Sequence, residues 1–567
     1  MNVMKRLSFA MKLQFTFFLK ESIRPHISCL LRFAPVYWSN KSFFSVFTYT
    51  AMQSLVDALS RSAAYPHPTG AIEVVETHIS WIFLTGSLAY KIKKPLNLGF
   101  LDFSTLEKRH HSCNEELRLN RRLCPEIYLS VVPVVCTGNT FFIDAEGELV
   151  EYAVKMVQFD RTMELDRMLA KKLLTDQHID HLACMIARFH TSLPPVARES
   201  GCGHPANLVK PMLHNFTAME SIASNRREIE RLEELKAWTL QEHQRLYPLL
   251  LQRKRGGFIR PCHGDIHTGN MVLWQNRILL FDCIEFNEHL SNIDVISDLA
   301  FLFMDLDHGG EPQLAWRLLN NYLMETGDYG ALPLLLFYAL YRAMVRAKVT
   351  AIRYAQTSGQ DTDQQILEEH RSYIRLAQHY SSPKKPLLIL TQGVSGSGKT
   401  TVSSDIARSL PSIHIRSDIE RKRLAGLKPL EGSKQSLSLY TDTITSKTYH
   451  KLLEVARLCL EAGISVIVDA TFLKADNRKL FMDFAESLKT SCRILRFSAP
   501  EKMLMERVQQ RSLRGNDASE ADAEVLASQL EKQERLTTEE QKITLEINTT
   551  QPVDAAAVAA LLRSLPA

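Results

Sequence analysis

Two short stretches concentrate residue types suited to handling a nucleoside triphosphate. The first, LLILTQGVSGSGKTTV at 387–402, runs from an apolar strand into a loop. There Gly393, Gly396, Gly398, Lys399 and Thr400 fit the spacing GxxxxGK[ST], with Ser397 and Thr401 inside the same cradle. Glycines let successive backbone N–H groups curl around phosphate oxygens, and the helix that follows adds its positive dipole end. Lys399 is placed to bridge the outer phosphates of ATP, and the Thr400 hydroxyl to ligate Mg2+. The second stretch, IRPCHGDIHTGNMVLWQNRILLFD at 259–282, puts Asp265 in a tight HGD turn, Asn270 five residues later and Asp282 at the end of a short strand. This pattern suits phosphoryl transfer without a glycine cradle. Asp265 accepts the acceptor's proton, Asn270 and Asp282 hold Mg2+ under the triphosphate, and His263 braces the loop.

Three segments complete the first constellation. ISVIVDAT ends an apolar run at Asp469, which is predicted to hold the metal or its water; Ala470 stands where many motor ATPases carry a water-activating glutamate. That substitution favours transfer to an acceptor over hydrolysis. IHIRSDIERKR ends a strand at Asp418 with Arg421 three residues on, one helical turn away. Asp418 is expected to orient and deprotonate an acceptor hydroxyl while Arg421 holds the acceptor or a phosphate; the plainer alternative is a helix cap with a solvated arginine. MERVQQRSLRGND spaces Arg507 and Arg511 one turn apart ahead of the helical segment SEADAEVLASQLEKQE. Together these read as a lid whose arginines close over the transferred phosphoryl group, against the alternative of a solvated basic face. Residues 386–550 resemble the small P-loop kinases related to the zeta-toxin and polynucleotide kinase group. The resemblance implies a parallel sheet wrapped by helices and an ATP–magnesium kinase.

The second constellation needs a lysine on a strand and a glutamate on the next helix. LAYKIKK offers Lys91 and Lys93 on one face of a strand. Ala89, two places before, selects Lys91. NEELRLN offers Glu115 and Glu116, of which Glu116 is chosen, leaving Lys93 and Glu115 as solvated charges. EYAVKMVQF is expected to join two lobes and offer backbone groups to adenine. HGDIHTGN, LLFDCIEFN, VISDLAFL and IARFHTSL are similar to the aminoglycoside-phosphotransferase-like branch of the protein-kinase fold over about residues 70–375. One feature of that fold is missing: there is no GxGxxG, and only TGS at 85–87 links the candidate strands. The order of modules resembles a bacterial family in which an aminoglycoside-phosphotransferase-like domain is fused to a P-loop kinase.

The elements that must position these groups are legible in outline. Strand patterns at AIEVVE, ISWIFL and LAYKIKK precede a helix that opens with Ser104 and Glu107 in capping-box spacing and stops by Pro125. YLSVVPVV, TFFID and EYAVKMVQF add strands, and helices dominate from Glu164 to Leu251 and from Ile296 to His379. At 567 residues the chain exceeds the size at which single cores stop growing, about 250–300 residues. The proline-bounded SSPKKP is the natural linker. The expected domains are therefore a disordered, basic and aromatic extension at 1–51, a kinase-like domain at 52–380, a linker at 381–386, and a P-loop domain with lid at 387–567. The fold expected is a bilobal α+β protein-kinase-like domain followed by an α/β P-loop domain with a parallel sheet.

A net charge of +5 decides nothing about nucleic acid, and no aromatic–basic groove pattern accompanies it. Ten cysteines without CxxC pairs suit a cytoplasmic protein with reduced thiols, and no apolar run is long enough to span a bilayer. The leading expectation is an ATP- and Mg2+-dependent phosphotransferase with two nucleotide sites acting on small-molecule hydroxyls. Two others stand beside it: a P-loop kinase regulated by an inactive, nucleotide-sensing kinase-like module, and a kinase acting on nucleic-acid ends.

Overall fold

The structure is a computed structural model that describes residues 53–564 apart from 100, 139, 221–224, 358–362, 430, 432–440 and 515–517. The expected extension at 1–51 lies outside the described residues. Six antiparallel strands form the N-terminal sheet: β1 (Glu73–Glu76), β2 (Ser80–Leu84), β3 (Leu88–Lys93), β4 (Tyr128–Thr137), β5 (Thr140–Ile143) and β6 (Glu148–Val157), in the order β1-β2-β3-β6-β4-β5. Helix α1 (Leu106–Asn120) crosses this sheet. Its N-cap is Thr105, whose hydroxyl accepts from Lys108 N, because Ser104 is drawn aside to the Asp102 carboxylate at 2.6 Å. The expected Ser104–Glu107 box therefore does not form.

The second lobe is helical around two small antiparallel pairs. β7 (Ile259–Pro261) pairs with β10 (Asn292–Asp294), and β8 (Met271–Trp274) pairs with β9 (Arg277–Leu280) across Gln275 and Asn276. Both turn residues have positive φ, 48° and 62°, the geometry that matches strand twist in a two-residue hairpin. The helices that matter most below are α2 (Asp176–Ser192), α3 (Val295–His308), α4 (Pro312–Thr326) and α5 (Leu332–Thr357).

A last helix of this lobe ends at Ser381, and the next strand starts at Leu387. Five parallel strands follow: β11 (Leu387–Gln392), β12 (Ser412–Arg416), β13 (Ser465–Asp469), β14 (Ser491–Ser498) and β15 (Thr544–Asn548), in the order β12-β13-β11-β14-β15. Non-consecutive neighbours are joined by helical crossovers, as parallel pairing requires. The helices are α6 (Lys399–Ser409), α7 (Ser417–Leu424), α8 (Asp442–Glu461), α9 (Glu501–Arg514) and α10 (Ala523–Glu531), among others. Strands β11 and β13 are apolar on both faces, with Leu388, Ile389, Leu390, Val466, Ile467 and Val468 all fully buried, as expected of strands covered by helices on both sides. One continuous apolar cluster runs from the helical lobe through α4 and α5 into α8, β12 and β13. No helix among the described residues is long and apolar enough to cross a membrane.

Candidate functional site

In the first site, β11 delivers the chain into the phosphate loop and α6 leaves it. Gly393 and Gly396 have φ of 150° and 81°, and a Cβ on either would lie 2.7 Å from a backbone carbonyl oxygen, that of Phe497 or of Leu504. Only glycine gives this loop its curl. Gly398, at φ 84°, caps α6. Lys399 is buried, and its ammonium donates to the Val394 carbonyl at 2.9 Å, folded back along the loop. Burial lowers its pKa, and Asp469 and Asp418 partly offset this. The Ser397 hydroxyl is buried and has no hydrogen-bond partner among the described residues.

A cavity of about 1270 Å³ opens over this loop. Gly396, Gly398, Lys399, Thr400, Thr401, Asp418, Arg421, Asp469, Arg507 and Arg511 all border it, so nearly every residue predicted for this site faces one space; Gly393 and Ser397 lie in the loop beneath. Asp469, at the C-terminal end of β13, is 4% exposed. Burial would raise its pKa, but a 3.2 Å hydrogen bond from His414, the charge of that ring and Lys399 bring it down to about 2. Its carboxylate is therefore ionised throughout the neutral range. Asp418 sits in the first turn of α7 and accepts from Arg421 at 2.7 Å. It does not cap the helix.

Both expected lid arginines border the cavity. Arg507 donates to the Gly396 carbonyl and to Thr549, clamping the phosphate loop to the segment after β15, and Arg511 donates to the Ala521 carbonyl. Both border the cavity while bound to main chain. A residue the sequence reading passed over comes closer to the phosphate loop: Gln529, on α10, accepts from the Ser395 backbone N–H at 2.7 Å. Its only sequence signal is the helical face Val525, Ser528, Gln529 and Lys532, all turned to the cavity.

In the second site, Lys91 donates to Glu116 at 2.8 Å and also ion-pairs with Asp282. Glu115 is half-buried and pairs with Arg118 on the same helix. Lys93 is not solvated as expected: it is fully buried between Glu116, at 2.6 Å, and Glu285. Burial opposes the charge on Glu116, yet Lys91 and Lys93 hold its pKa down to about 2. Asp282 takes a left-handed φ of 64°, a strained conformation of the kind found at functional turns. Asp265 accepts from the Asn270 amide at 2.9 Å, which leaves the Asn270 oxygen available to a cation. Burial would raise the pKa of Asp265, but His267, His263 and Arg342 hold it well below the usual range. Asp298 on α3, unassigned in the sequence reading, accepts from the backbone N–H groups of His263 and Gly264 and so fixes the HGD turn; His263 itself bonds to the Phe281 carbonyl.

The glycine question is answered by the strand order. The loop that should cover the triphosphate lies between β1 and β2, and it is only Thr77, His78 and Ile79, closed by Thr77 bonds to Ser80. TGS at 85–87 belongs to the next turn, where Gly86 N donates to Gln158.

Residues 103–335 match the model of a phosphotransferase enzyme family, and residues 388–536 that of an AAA domain. The chain thus joins an aminoglycoside-phosphotransferase-like domain to a P-loop kinase-like domain, and it is an enzyme of the phosphotransferase class. An uncharacterized protein of Mycobacterium tuberculosis is 29% identical over 466 residues, covering 81% of this chain and 90% of its own length, and one from Mycobacterium bovis matches to the same extent. Among solved structures, a gluconokinase from Sinorhizobium meliloti is similar over 32% of this chain and 94% of its own, with 25% identity and a TM-score of 0.23. An amicoumacin kinase, hAmiN, in complex with AMP-PNP, Ca2+ and Ami is similar over 60% of this chain and 96% of its own, with 12% identity and a TM-score of 0.37.

Proposed function

We propose that the chain transfers the γ-phosphoryl group of ATP to a hydroxyl of a small molecule at the P-loop cavity, and that the HGD site is a second nucleotide site. The observation that carries this reading is the single cavity bordered by Lys399, Thr400 and Asp469 on the phosphate side and by Asp418 and Arg421 facing them. Lys399 and the loop N–H groups hold the outer phosphates. Asp418 takes the acceptor's proton, and Arg421 orients the acceptor. Thr400 and Asp469 supply hard oxygen ligands that suit Mg2+, as do Asn270 and Asp282 in the other site. Magnesium, when bound, neutralises charge on the outer phosphates. Proposed unit boundaries remain 52–380 and 387–567, separated by 381–386.

The test is steady-state phosphorylation of a metabolite mixture by full-length protein carrying Lys399→Ala or Asp265→Ala. Lys399→Ala is expected to lower P-loop turnover by about a hundredfold or more, the scale seen when a preorganised charge-stabilising group is removed. Unchanged turnover in both variants would refute the reading.

A second reading, in which the HGD module senses nucleotide without transferring phosphate, is favoured by the short, glycine-free β1–β2 turn. It requires Lys399→Ala protein to bind ATP while forming no phosphorylated product. A product made by that variant and lost on adding Asp265→Ala excludes it.

A further inference from the structure

One edge of the P-loop sheet is β12, whose only strand neighbour among the described residues is β13. An edge strand leaves a row of backbone donors and acceptors without strand partners. Here two groups of that row, the Ser412 carbonyl and the His414 N–H, are met by one side chain from the other module. Asn320, on α4, donates its amide N–H to the Ser412 carbonyl at 3.0 Å and accepts from the His414 backbone N–H at 2.7 Å. Alternate residues of a strand turn their C=O and N–H to the same edge, so one carboxamide satisfies both groups as a neighbouring strand would. The amide is itself held by a third bond, from Nδ2 to the Trp316 carbonyl one turn back on α4.

The residue pinned in this way reaches the candidate metal position. The ring Nε2 of His414 lies 3.2 Å from Asp469 Oδ2, and an ionised carboxylate can only accept, so the ring donates. His414 has a side chain only 8% exposed, and Asp469 one only 4% exposed. Thr400, the other hard oxygen ligand of the cavity, also touches the boundary: with His414 and Arg416 it lines a smaller cavity of about 330 Å³, closed from the opposite side by Arg317, Asn320 and Met324. Asp469 is thus backed by His414, whose strand is held by the HGD module, and Thr400 shares a cavity with residues of that module.

Resting on the phosphotransfer reading of the P-loop cavity, we propose that Asn320 and His414 are positioning residues for that site. The HGD module, through Asn320, sets the strand that carries His414, and His414 sets the Asp469 carboxylate. The HGD module therefore helps to orient a metal-holding carboxylate of the P-loop site, whatever it does with nucleotide itself. Partners of this kind orient a metal-holding carboxylate, and their loss typically lowers metal affinity about 10- to 100-fold.

The experiment uses the full-length protein. Mn2+ bound in the presence of ADP is measured by electron paramagnetic resonance, and the fraction absent from Thr400→Val protein is assigned to the P-loop cavity. His414→Phe, which removes the donor, and Asn320→Ala, which frees the edge, are expected to weaken that Mn2+ about tenfold while ADP affinity without metal is unchanged. His414→Gln, which keeps an N–H donor, is expected to recover most of it. Mn2+ affinity equal to wild type in both His414→Phe and Asn320→Ala overturns the proposal, as does a parallel loss of metal-free ADP binding. Absence of any ADP-dependent, Thr400-dependent Mn2+ in the wild-type protein defeats the underlying phosphotransfer reading instead.

Discussion

Lys93 lies with no exposure between Glu116 and Glu285, and its charge is held by both. Replacing it by methionine preserves volume but leaves the two carboxylates facing each other in a dry site. Removing one partner of a buried ion pair costs about 3–5 kcal/mol, so Lys93→Met is expected to lower the melting temperature sharply, whereas Lys108→Met, at an exposed pair, is expected to leave it nearly unchanged. Equal melting of the two variants would show the cluster to be unimportant. Asp469 gives a second test at this scale. Its folded pKa of about 2 lies below the usual value of about 3.9. A depressed carboxylate pKa stabilises the folded chain above the usual value, and that contribution is lost as pH falls toward the folded one. The stability gap between wild type and Asp469→Asn, followed by urea midpoints, is expected to close as pH drops from about 4 toward about 2. Lys91 and Glu116 were readable because a strand lysine and the next helix's glutamate are close in sequence. Lys93 was misjudged because its second partner, Glu285, lies 192 positions further along the chain, a distance no local pattern spans.

Elements decide what these residues can reach. The strands and helices of both modules follow their apolar periodicity, and the hairpin at Gln275–Asn276 follows from turn chemistry. The helix start at Thr105 was missed because Asp102 competes for Ser104, a side-chain contest that capping-box spacing does not register. The lid is read from its arginines; Arg507 and Arg511 border the cavity and donate to main-chain carbonyls and to the Thr549 hydroxyl, partners set by how loops fold over one another and so absent from local spacing. Helix α10 adds the Gln529 amide oxygen, which accepts from the phosphate loop. The Ser395 N–H follows Val394, whose carbonyl holds the Lys399 ammonium, so Gln529 sits beside the end of the loop where that lysine rests. Gln529→Ala is expected to release this N–H, and loss of one hydrogen bond of about 1 kcal/mol would speed Ser395 amide exchange about fivefold in nucleotide-free protein. Exchange at the wild-type rate would mean that α10 does not hold the loop.

At the scale of the molecule, proline-bounded SSPKKP reads as a linker between independent bodies, but packing ties the two modules together. Leu319, Tyr329 and Leu335 from the helical lobe share one buried apolar cluster with Ile413, Ile415, Leu452 and Val455 of the P-loop module. Around it, Tyr329 donates to Glu420 at 3.1 Å, Arg423 reaches the Met324 carbonyl at 2.6 Å, and Asp176 accepts from Arg408 at 2.8 Å. None of these partners is close in sequence, so composition and periodicity gave no sign of a shared interior. Domains joined only by a linker unfold separately, whereas bodies that share a core lose it together. Calorimetry of the full chain is therefore expected to give one cooperative transition spanning both modules. Tyr329→Phe leaves the buried Glu420 without this donor, at a cost of about 1–3 kcal/mol, and is expected to move that whole transition downward. Two resolved endotherms, or a Tyr329→Phe shift confined to one of two, would mean that the modules are separate cores in contact, and the coupling of Asn320 to the P-loop site would then have to act across an interface that can open on its own.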